Sequence, residues 1–210
     1  MIIVGLTGNY GMGKSTVARI FNELGAIIID SDEIVRDLLD NPSVIQEIKR
    51  IFGDEVIRRD IDALGQQRER IDKKYLSHIV FNNPFLRKTL EDILHPMVFK
   101  RIEEETAKIK DPAAIVIIEA PVLFERGYQN RFDKIITVFT SEDIALKRLK
   151  EKGITEEDAM SRMKNQFPVE MKIKRSDFII DNSSDIEDTT RQVEEIYMKL
   201  ASEVRKSGYN

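Results

Sequence analysis

The stretch GNYGMGKS at residues 8–15 decides the fold of this chain, because it completes the pattern G-x-x-x-x-G-K-[ST]. In this pattern the glycines let consecutive backbone N–H groups face a polyphosphate. The helix that starts at the lysine adds the positive end of its dipole. The stretch follows an apolar run, IIVGL at residues 2–6. It therefore predicts a phosphate-binding turn between a strand and a helix.

The residues on either side of this turn fit the same interpretation. The run before it is short and apolar, as in a buried strand. After it, Val17, Ile20, Phe21 and Leu24 recur at helical spacing, and Gly25 is placed to end the helix. The alternative is an ordinary glycine-rich turn with a solvated lysine. Both flanks favour the phosphate-binding turn.

Composition excludes several classes of protein. The chain of 210 residues has 37 acidic and 33 basic residues, so its net charge of -4 gives no overall cationic field for nucleic acid or an anionic membrane. It contains no cysteine, which excludes disulfides, thiolate chemistry and cysteine-ligated metals. Its longest apolar runs are strand-sized, far below the roughly 20 residues of a membrane helix. We expect a cytoplasmic protein without nucleic-acid or membrane partners.

Apolar runs and helical patterns alternate along the chain, which predicts an α/β fold with a five-stranded parallel sheet wrapped by helices. The five runs lie at residues 2–6, 26–29, 115–118, 134–139 and 178–180. A closing helix is predicted at about residues 186–204. This core is that of a phosphate-loop protein.

Two long helical segments interrupt the predicted core. Between the second and third runs, helices are predicted at residues 42–52, 73–81, 84–94 and 96–110. This segment is too long for an ordinary connection, so we expect a functional insertion. The domain prediction is a core of residues 1–30, 111–141 and 175–210, a substrate-binding insertion at 31–110 and a lid at 142–174. In small kinases one such segment holds the acceptor and the other closes over ATP, which favours a kinase over a switch GTPase.

Two aspartates follow the second predicted strand. Ligands gather at the carboxyl ends of strands in an open parallel sheet, so we expect Asp30 and Asp32 to face the same crevice as the phosphate loop. A carboxylate there can accept the proton of an acceptor hydroxyl or orient a water on Mg²⁺. Asp30 with Glu33 also fits a helix N-terminal capping arrangement. Both interpretations can hold, with Asp30 capping and Asp32 in catalysis.

Six segments, in order and spacing, resemble the dephospho-CoA kinase family across nearly the whole chain. They are LTGNYGMGKST, IDSDEIVR, ILHP, IEAPVLFE, RMKNQFP and SDFIIDNS. The resemblance implies a phosphate-loop kinase core with a helical acceptor domain and a lid. It also implies transfer of the γ-phosphoryl group of ATP to the ribose 3′-hydroxyl of dephospho-coenzyme A, the last step of coenzyme A synthesis.

The same resemblance implies roles for specific residues. Asp32 matches the family's general-base candidate and Arg36 the arginine that follows it, so both are expected to bind the acceptor. Arg148 matches a lid arginine, whereas Lys152 stands where a second arginine is common and lacks its planar two-pronged donor set. Arg148 is the expected catalytic lid residue, with Arg162 as the other candidate. The residues that match the ATP-phosphate segment are Gly11, Met12, Gly13, Lys14, Ser15 and Thr16.

Phosphoryl-transfer chemistry assigns roles within this set. Lys14 is expected to straddle the β and γ oxygens and neutralise their charge. The Ser15 hydroxyl is expected to ligate Mg²⁺, which prefers oxygen ligands, and Thr16 to contact the α-phosphate. Asp32 would position and deprotonate the ribose hydroxyl, with positioning as the larger contribution. Glu119, at the end of the third run, fits either the magnesium region or a structural cap or ion pair.

Two other functions fit part of the pattern. Another small-molecule kinase on the same core would differ only in its acceptor. A nucleotide-dependent switch would require a guanine-reading N-K-x-D segment, which the sequence lacks. We expect a monomer or a weak homo-oligomer.

Overall fold

The computed structural model describes residues 1–61 and 65–207. The strands are β1 (Ile2–Thr7), β2 (Ile27–Asp30), β3 (Ile57–Ile61), β4 (Gln67–Ile71), β5 (Ile115–Glu119), β6 (Lys134–Phe139) and β7 (Phe178–Asp181). The helices are α1 (Lys14–Glu23), α2 (Ser31–Leu38), α3 (Pro42–Phe52), α4 (Lys73–Asn82), α5 (Pro84–Thr106), α6 (Glu142–Glu151), α7 (Glu156–Met163), α8 (Val169–Ile173) and α9 (Ile186–Ser207). The chain forms two compact units, Met1–Asp30 with Lys108–Asn210 and Ser31–Ala107.

The first unit is built on a five-stranded sheet in the order β2-β5-β1-β6-β7. All neighbouring strands are parallel, so their carboxyl ends lie along one edge. At that edge Glu119 lies opposite Leu6 on one side and Asp30 on the other. The predicted five-stranded parallel sheet is confirmed, and the edge where its strands end is where ligands bind in this class of fold.

The core of the first unit explains why these runs became strands and helices. Val4, Leu6, Ile117 and Ile136 have no exposed surface, and α1 and α9 pack their apolar faces against them. Of the apolar positions predicted at helical spacing, Val17, Ile20 and Phe21 are buried on α1, and Leu24, just after the helix, is half-buried. Burying one such side chain contributes about 1.5–3 kcal/mol. The strand and helix on either side of the phosphate loop are thus held in place by the core.

The second unit has its own core, in which Val44 and Ile48 of α3 are fully buried. It also contains an antiparallel hairpin of β3 and β4, which the sequence did not predict. Both strands are rich in charged residues and lack an apolar run. Opposite charges face each other at two positions, Arg59 with Glu69 and Asp60 with Arg68, whereas Arg58 faces Arg70. The residues between the strands, 62–64, lie outside the described part of the chain.

A second difference concerns Pro96. The sequence predicted two helices divided before this proline, but α5 is one helix of 23 residues with Pro96 inside it, and it ends at Thr106 rather than Lys110. An internal proline costs about 3 kcal/mol or more. The buried face of α5, which includes Leu94 and Val98, offsets that cost at about 1.5–3 kcal/mol per side chain. Packing therefore outweighs the local propensity.

The predicted lid segment forms α6, α7 and α8 within the first unit. Two of these helices have N-terminal caps: the Ser141 hydroxyl accepts the N–H of Ile144, and Thr155 accepts that of Asp158. Across residues 1–61 and 65–207, every helix falls short of the length or apolar character that crossing a membrane requires.

Candidate active site

The phosphate loop connects β1 to α1 through glycines in conformations that other residues rarely adopt. Gly8, Gly11 and Gly13 have φ values of 146°, 82° and 92°. The Met12 N–H donates to the Asn9 carbonyl at 3.3 Å, which closes the turn. Helix α1 begins at Lys14, and the first N–H groups of a helix have no partner within it. The loop therefore presents amides and a positive helix end to an anion.

Asn182, just after β7, holds the loop from the side. Its Nδ2 donates to the Met12 carbonyl at 2.9 Å, and its Oδ1 accepts the Thr189 hydroxyl at 3.0 Å. The residue is only 5 % exposed. Nothing in the sequence indicated this contact, because Asn182 and Met12 lie 170 positions apart. The side chain is thereby committed to supporting the loop.

The closeness of Asn182 to Gly13 gives a direct test of the loop. A Cβ on Gly13 would lie 2.0 Å from Asn182 Nδ2, at a positive φ. We expect Gly13→Ala to weaken nucleotide binding at least about tenfold, since one displaced contact of about 1.4 kcal/mol suffices. Binding is measured by calorimetric titration, with circular dichroism as the check on folding.

Gly153 supplies the matched control. It also has a positive φ, 78°, but a Cβ there would meet nothing within 4 Å. Gly153→Ala therefore carries the backbone strain without the clash, and nucleotide binding should persist. Equal losses in the two variants would contradict the assigned role of Gly13.

Lys14 lies against the loop that precedes it. Its Nζ donates to the carbonyls of Gly8 at 2.9 Å and Asn9 at 3.2 Å. Ser15, the second residue of α1, is exposed, whereas the Thr16 N–H donates to the Gly13 carbonyl at 3.1 Å. The predicted phosphate-binding residues are thus brought together, with an ammonium and a hydroxyl beside the loop amides.

Arg148 of α6 reaches the same place. Its Nη2 donates to the Asn182 carbonyl at 3.0 Å. Its Nη1 is buried and makes no hydrogen bond within the described residues, and a Cβ on Gly13 would lie 3.7 Å from it. A buried cationic donor beside the phosphate loop is suited to an anionic oxygen. Lys152, by contrast, follows the end of α6 and is exposed.

Arg162, the other lid candidate, contacts a different residue of the loop. Its Nη1 donates to the Tyr10 hydroxyl at 3.2 Å. Its guanidinium carbon lies 5.0 Å from the centroid of the Tyr10 ring, within cation–π distance. The two lid arginines therefore contact different parts of the loop: Arg148 lies beside Gly13, and Arg162 lies over the ring of Tyr10.

Two carboxylates lie at the end of the sheet that carries the loop. Asp30 and Glu119 are opposite each other at the ends of β2 and β5, and Glu119 is also opposite Leu6 of β1. Within residues 1–61 and 65–207 no three His, Cys, Asp or Glu side chains form a group that could hold a metal. Mg²⁺ at a phosphate loop needs no such group, because it keeps waters and uses substrate phosphates. An exposed Ser15 hydroxyl fits that mode of binding.

The predicted acceptor-binding residues belong to the second unit. Asp32 is the second residue of α2, and the chain joins it through Ser31 to Asp30 at the end of β2. Arg36 follows four residues later, so both side chains share one face of α2. The Lys73 ammonium donates to the Arg36 carbonyl at 3.4 Å and pairs with Asp40 at 3.0 Å. These contacts brace the end of α2 and leave Asp32 and Arg36 on one exposed helix face.

Four further residues hold Asn9 and Tyr10 of the phosphate loop, and the sequence had not predicted their contacts with it. Gln166 and Phe167 bond to Tyr10 and Asn9, and a buried pair of Glu125 and Lys172 lies next to them. Three of the four lie in the segments IEAPVLFE and RMKNQFP. Those segments signalled a family resemblance, but no spacing rule connects them to the loop.

Known proteins resemble this chain in sequence and in structure over most of its length. The family model for dephospho-CoA kinase matches residues 2–188. A dephospho-CoA kinase of Aquifex aeolicus is 37% identical over 198 residues, which cover 94% of this chain and 96% of the relative. A solved structure from Thermus thermophilus has a TM-score of 0.79 at 30% identity, covering 95% of this chain and 97% of the other. Dephospho-CoA kinase from Campylobacter jejuni has a TM-score of 0.67, with the same identity and coverage.

The comparisons confirm the resemblance that the motifs carried. The match of the family model runs from β1 into the first turn of α9, so its range contains the phosphate loop and both compact units. The α/β phosphate-loop kinase fold is confirmed as well. This chain belongs to the dephospho-CoA kinase family.

Proposed function

We propose that this protein transfers the γ-phosphoryl group of ATP to the ribose 3′-hydroxyl of dephospho-CoA, giving CoA and ADP. One observation carries the proposal: the phosphate loop and Arg148 meet at one end of the sheet, in a chain that matches the dephospho-CoA kinase family over residues 2–188. The loop geometry supports a nucleotide as the phosphoryl donor. Family membership supports dephospho-CoA as the acceptor.

On the donor side, the loop amides and Lys14 hold the β- and γ-phosphates. Arg148 contributes a second cation, because its Nη1 is buried beside Gly13 without a hydrogen-bond partner in the described chain. Leaving such a donor unpaired costs about 1–3 kcal/mol or more, and an anionic oxygen would recover that cost. Charge that develops on the transferring group is stabilised by both cations.

Ser15 is the residue that would hold Mg²⁺, through its exposed hydroxyl, with phosphate oxygens and waters as the remaining ligands. The ion would supply charge neutralisation between the β- and γ-phosphates. Asp30 and Glu119, at the ends of neighbouring strands, would accept hydrogen bonds from its waters. Thr16 would contact the α-phosphate through its hydroxyl.

On the acceptor side, Asp32 accepts a hydrogen bond from the 3′-hydroxyl and takes its proton as the phosphoryl group transfers. Arg36, on the same face of α2, holds an anionic group of dephospho-CoA, since a guanidinium matches phosphate oxygens in pairs. Orientation of the hydroxyl contributes more than proton removal, because phosphoryl transfer depends mainly on positioning and electrostatics.

The domain roles belong to the same proposal. The insertion at residues 31–110 would bind dephospho-CoA, and the segment 142–174 would cover ATP and exclude water, which otherwise competes for the phosphoryl group. A monomer or weak homo-oligomer suffices for this chemistry, because the proposed donor-binding and acceptor-binding residues all belong to one chain. The proposal takes the reaction to be cytoplasmic, and the chemistry itself needs neither nucleic acid nor membrane.

The test is a coupled assay of ADP release with a panel of acceptors. We expect dephospho-CoA to drive ADP release far above the rate with Mg-ATP alone, and adenosine, AMP and shikimate to leave that rate unchanged. A faster rate with one of those acceptors than with dephospho-CoA would contradict the proposal and indicate another small-molecule kinase.

A further inference from the structure

Two residues of the phosphate loop, Asn9 and Tyr10, are hydrogen-bonded to the neighbouring residues Gln166 and Phe167. The Tyr10 N–H donates to Gln166 Oε1 at 2.7 Å, and Asn9 Nδ2 donates to the Phe167 carbonyl at 3.1 Å. Asn9 is 7 % exposed, so its contact is enclosed. Two successive loop residues are therefore fixed by a segment more than 150 positions away in the chain.

The same segment is fixed on its other side by a buried ion pair. Glu125 Oε1 accepts the Phe167 N–H at 2.9 Å and pairs with the Lys172 ammonium at 2.8 Å. Lys172 Nζ also donates to the Pro121 carbonyl at 2.9 Å. Hydrogen bonds thus run without a break from the residues after β5, through Gln166 and Phe167, to the phosphate loop.

Stability alone does not explain why the Glu125–Lys172 ion pair is buried. The side chains of Lys172 and Glu125 are 0 % and 8 % exposed. Burial lowers the pKa of Lys172, and the hydrogen bond with Glu125 opposes that shift without cancelling it. A buried ion pair is often no more stabilising than apolar residues of the same volume. It does impose one geometry on the groups that it bonds.

We propose that Gln166 and Lys172 are positioning residues for nucleotide binding. The Glu125–Lys172 pair fixes Phe167 and Gln166, and these hold Asn9 and Tyr10 in the conformation that receives the triphosphate. Neither residue acts on the reacting atoms. The inference rests on the proposed function only in taking ATP as the ligand.

Removal of either residue has a defined consequence. Gln166→Leu leaves the Tyr10 N–H without its acceptor, and a loss near 1.4 kcal/mol corresponds to about tenfold weaker ATP binding. Lys172→Met has a larger effect, because it leaves the Glu125 carboxylate buried without its cation.

The experiment measures two quantities on the full-length protein, without acceptor. The first is the dissociation constant of Mg-ATP by calorimetric titration, and the second is hydrogen exchange at the Tyr10 amide. We expect Gln166→Leu and Lys172→Met each to weaken ATP binding by about tenfold or more and to accelerate Tyr10 exchange by about the same factor. The double variant should lose less than the product of the two effects, because both act through one segment.

Lys134→Met is the matched control. It removes the ion pair of Lys134 with Glu203, whose charged atoms are 3.3 Å apart. Lys134 begins β6, so it belongs to the same unit but lies at the opposite end of the sheet from the loop. Its ATP affinity and Tyr10 exchange should stay within about twofold of the wild type. This variant tests whether the loss of a lysine ion pair elsewhere in the same unit affects the loop.

A folded Gln166→Leu variant with wild-type ATP affinity and a protected Tyr10 amide would overturn the proposal. If Lys172→Met does not fold, Gln166→Leu still decides. Because no acceptor is present, an error about dephospho-CoA would appear only in turnover assays. A wild type that binds no ATP would contradict the proposed function. Hydrogen exchange at the Tyr10 amide would then still test whether Gln166 and Lys172 hold the loop.

Discussion

Replacing Asp32 by Asn should lower turnover by about 10²- to 10⁴-fold, the range typical of a positioned acid or base. Asparagine keeps the size of the side chain and can still hydrogen-bond the ribose hydroxyl, but it cannot take the proton. ATP binding should persist, because the phosphate loop and Arg148 belong to the other unit. Turnover is measured at saturating Mg-ATP and dephospho-CoA, and ATP affinity by titration.

Asp37 provides the control on the same helix. Like Asp32, it is an exposed aspartate of α2. Asp37→Asn removes the same charge one and a half turns along, so turnover should stay within about twofold of the wild type. An Asp32→Asn enzyme with a normal rate would remove this carboxylate from the mechanism.

Replacing Lys14 by Ala should lower turnover by about 10²- to 10³-fold even when ATP saturates the enzyme. The ammonium lies at the loop, bonded to the Gly8 and Asn9 carbonyls, where it can follow the charge that develops on the γ-phosphoryl group. An interaction that is stronger in the transition state affects turnover and not only affinity. Rates are therefore compared at saturating substrate.

Lys199, an exposed lysine of α9, serves as the control for removal of a cation from a helix of the same unit. Lys199→Ala should keep turnover within about twofold of the wild type. Unchanged turnover in a folded Lys14→Ala enzyme would refute the role assigned to Lys14.

Features that are local in sequence were predicted well. The strand–loop–helix unit around Gly13 and Lys14 follows from apolar spacing and glycine chemistry, which act over a few residues. The five parallel strands follow from their apolar runs, because a buried strand must be apolar on both faces. The order of those strands was not predictable, since crossover connections place β5 between β2 and β1.

The errors arose where distant packing outweighs local preference. Pro96 normally ends a helix, yet the apolar face of α5 carries the helix through it. The β3–β4 hairpin has no apolar run to reveal it, because charges such as Arg59 and Glu69 pair across its strands. Local rules cannot weigh such contacts.

The site divides in the same way. Lys14 and Ser15 were predicted from the phosphate-loop motif and Arg148 from the family resemblance, and their roles stay predictions. The contacts of Asn182 and Gln166 with the loop were not predictable, because each joins residues more than 150 positions apart. The Glu125–Lys172 pair was hidden for another reason: charged residues in a sequence usually indicate solvent exposure.

The central claim is that the phosphoryl group of ATP ends on the ribose 3′-hydroxyl of dephospho-CoA. The most direct measurement is mass spectrometry of the wild-type reaction with Mg-ATP and dephospho-CoA, with the position of the new phosphate determined by ³¹P NMR. We expect a product heavier by one phosphate that is indistinguishable from authentic CoA, and almost none with Asp32→Asn. Dephospho-CoA of unchanged mass while ATP is consumed, or a phosphate on another oxygen, would contradict it.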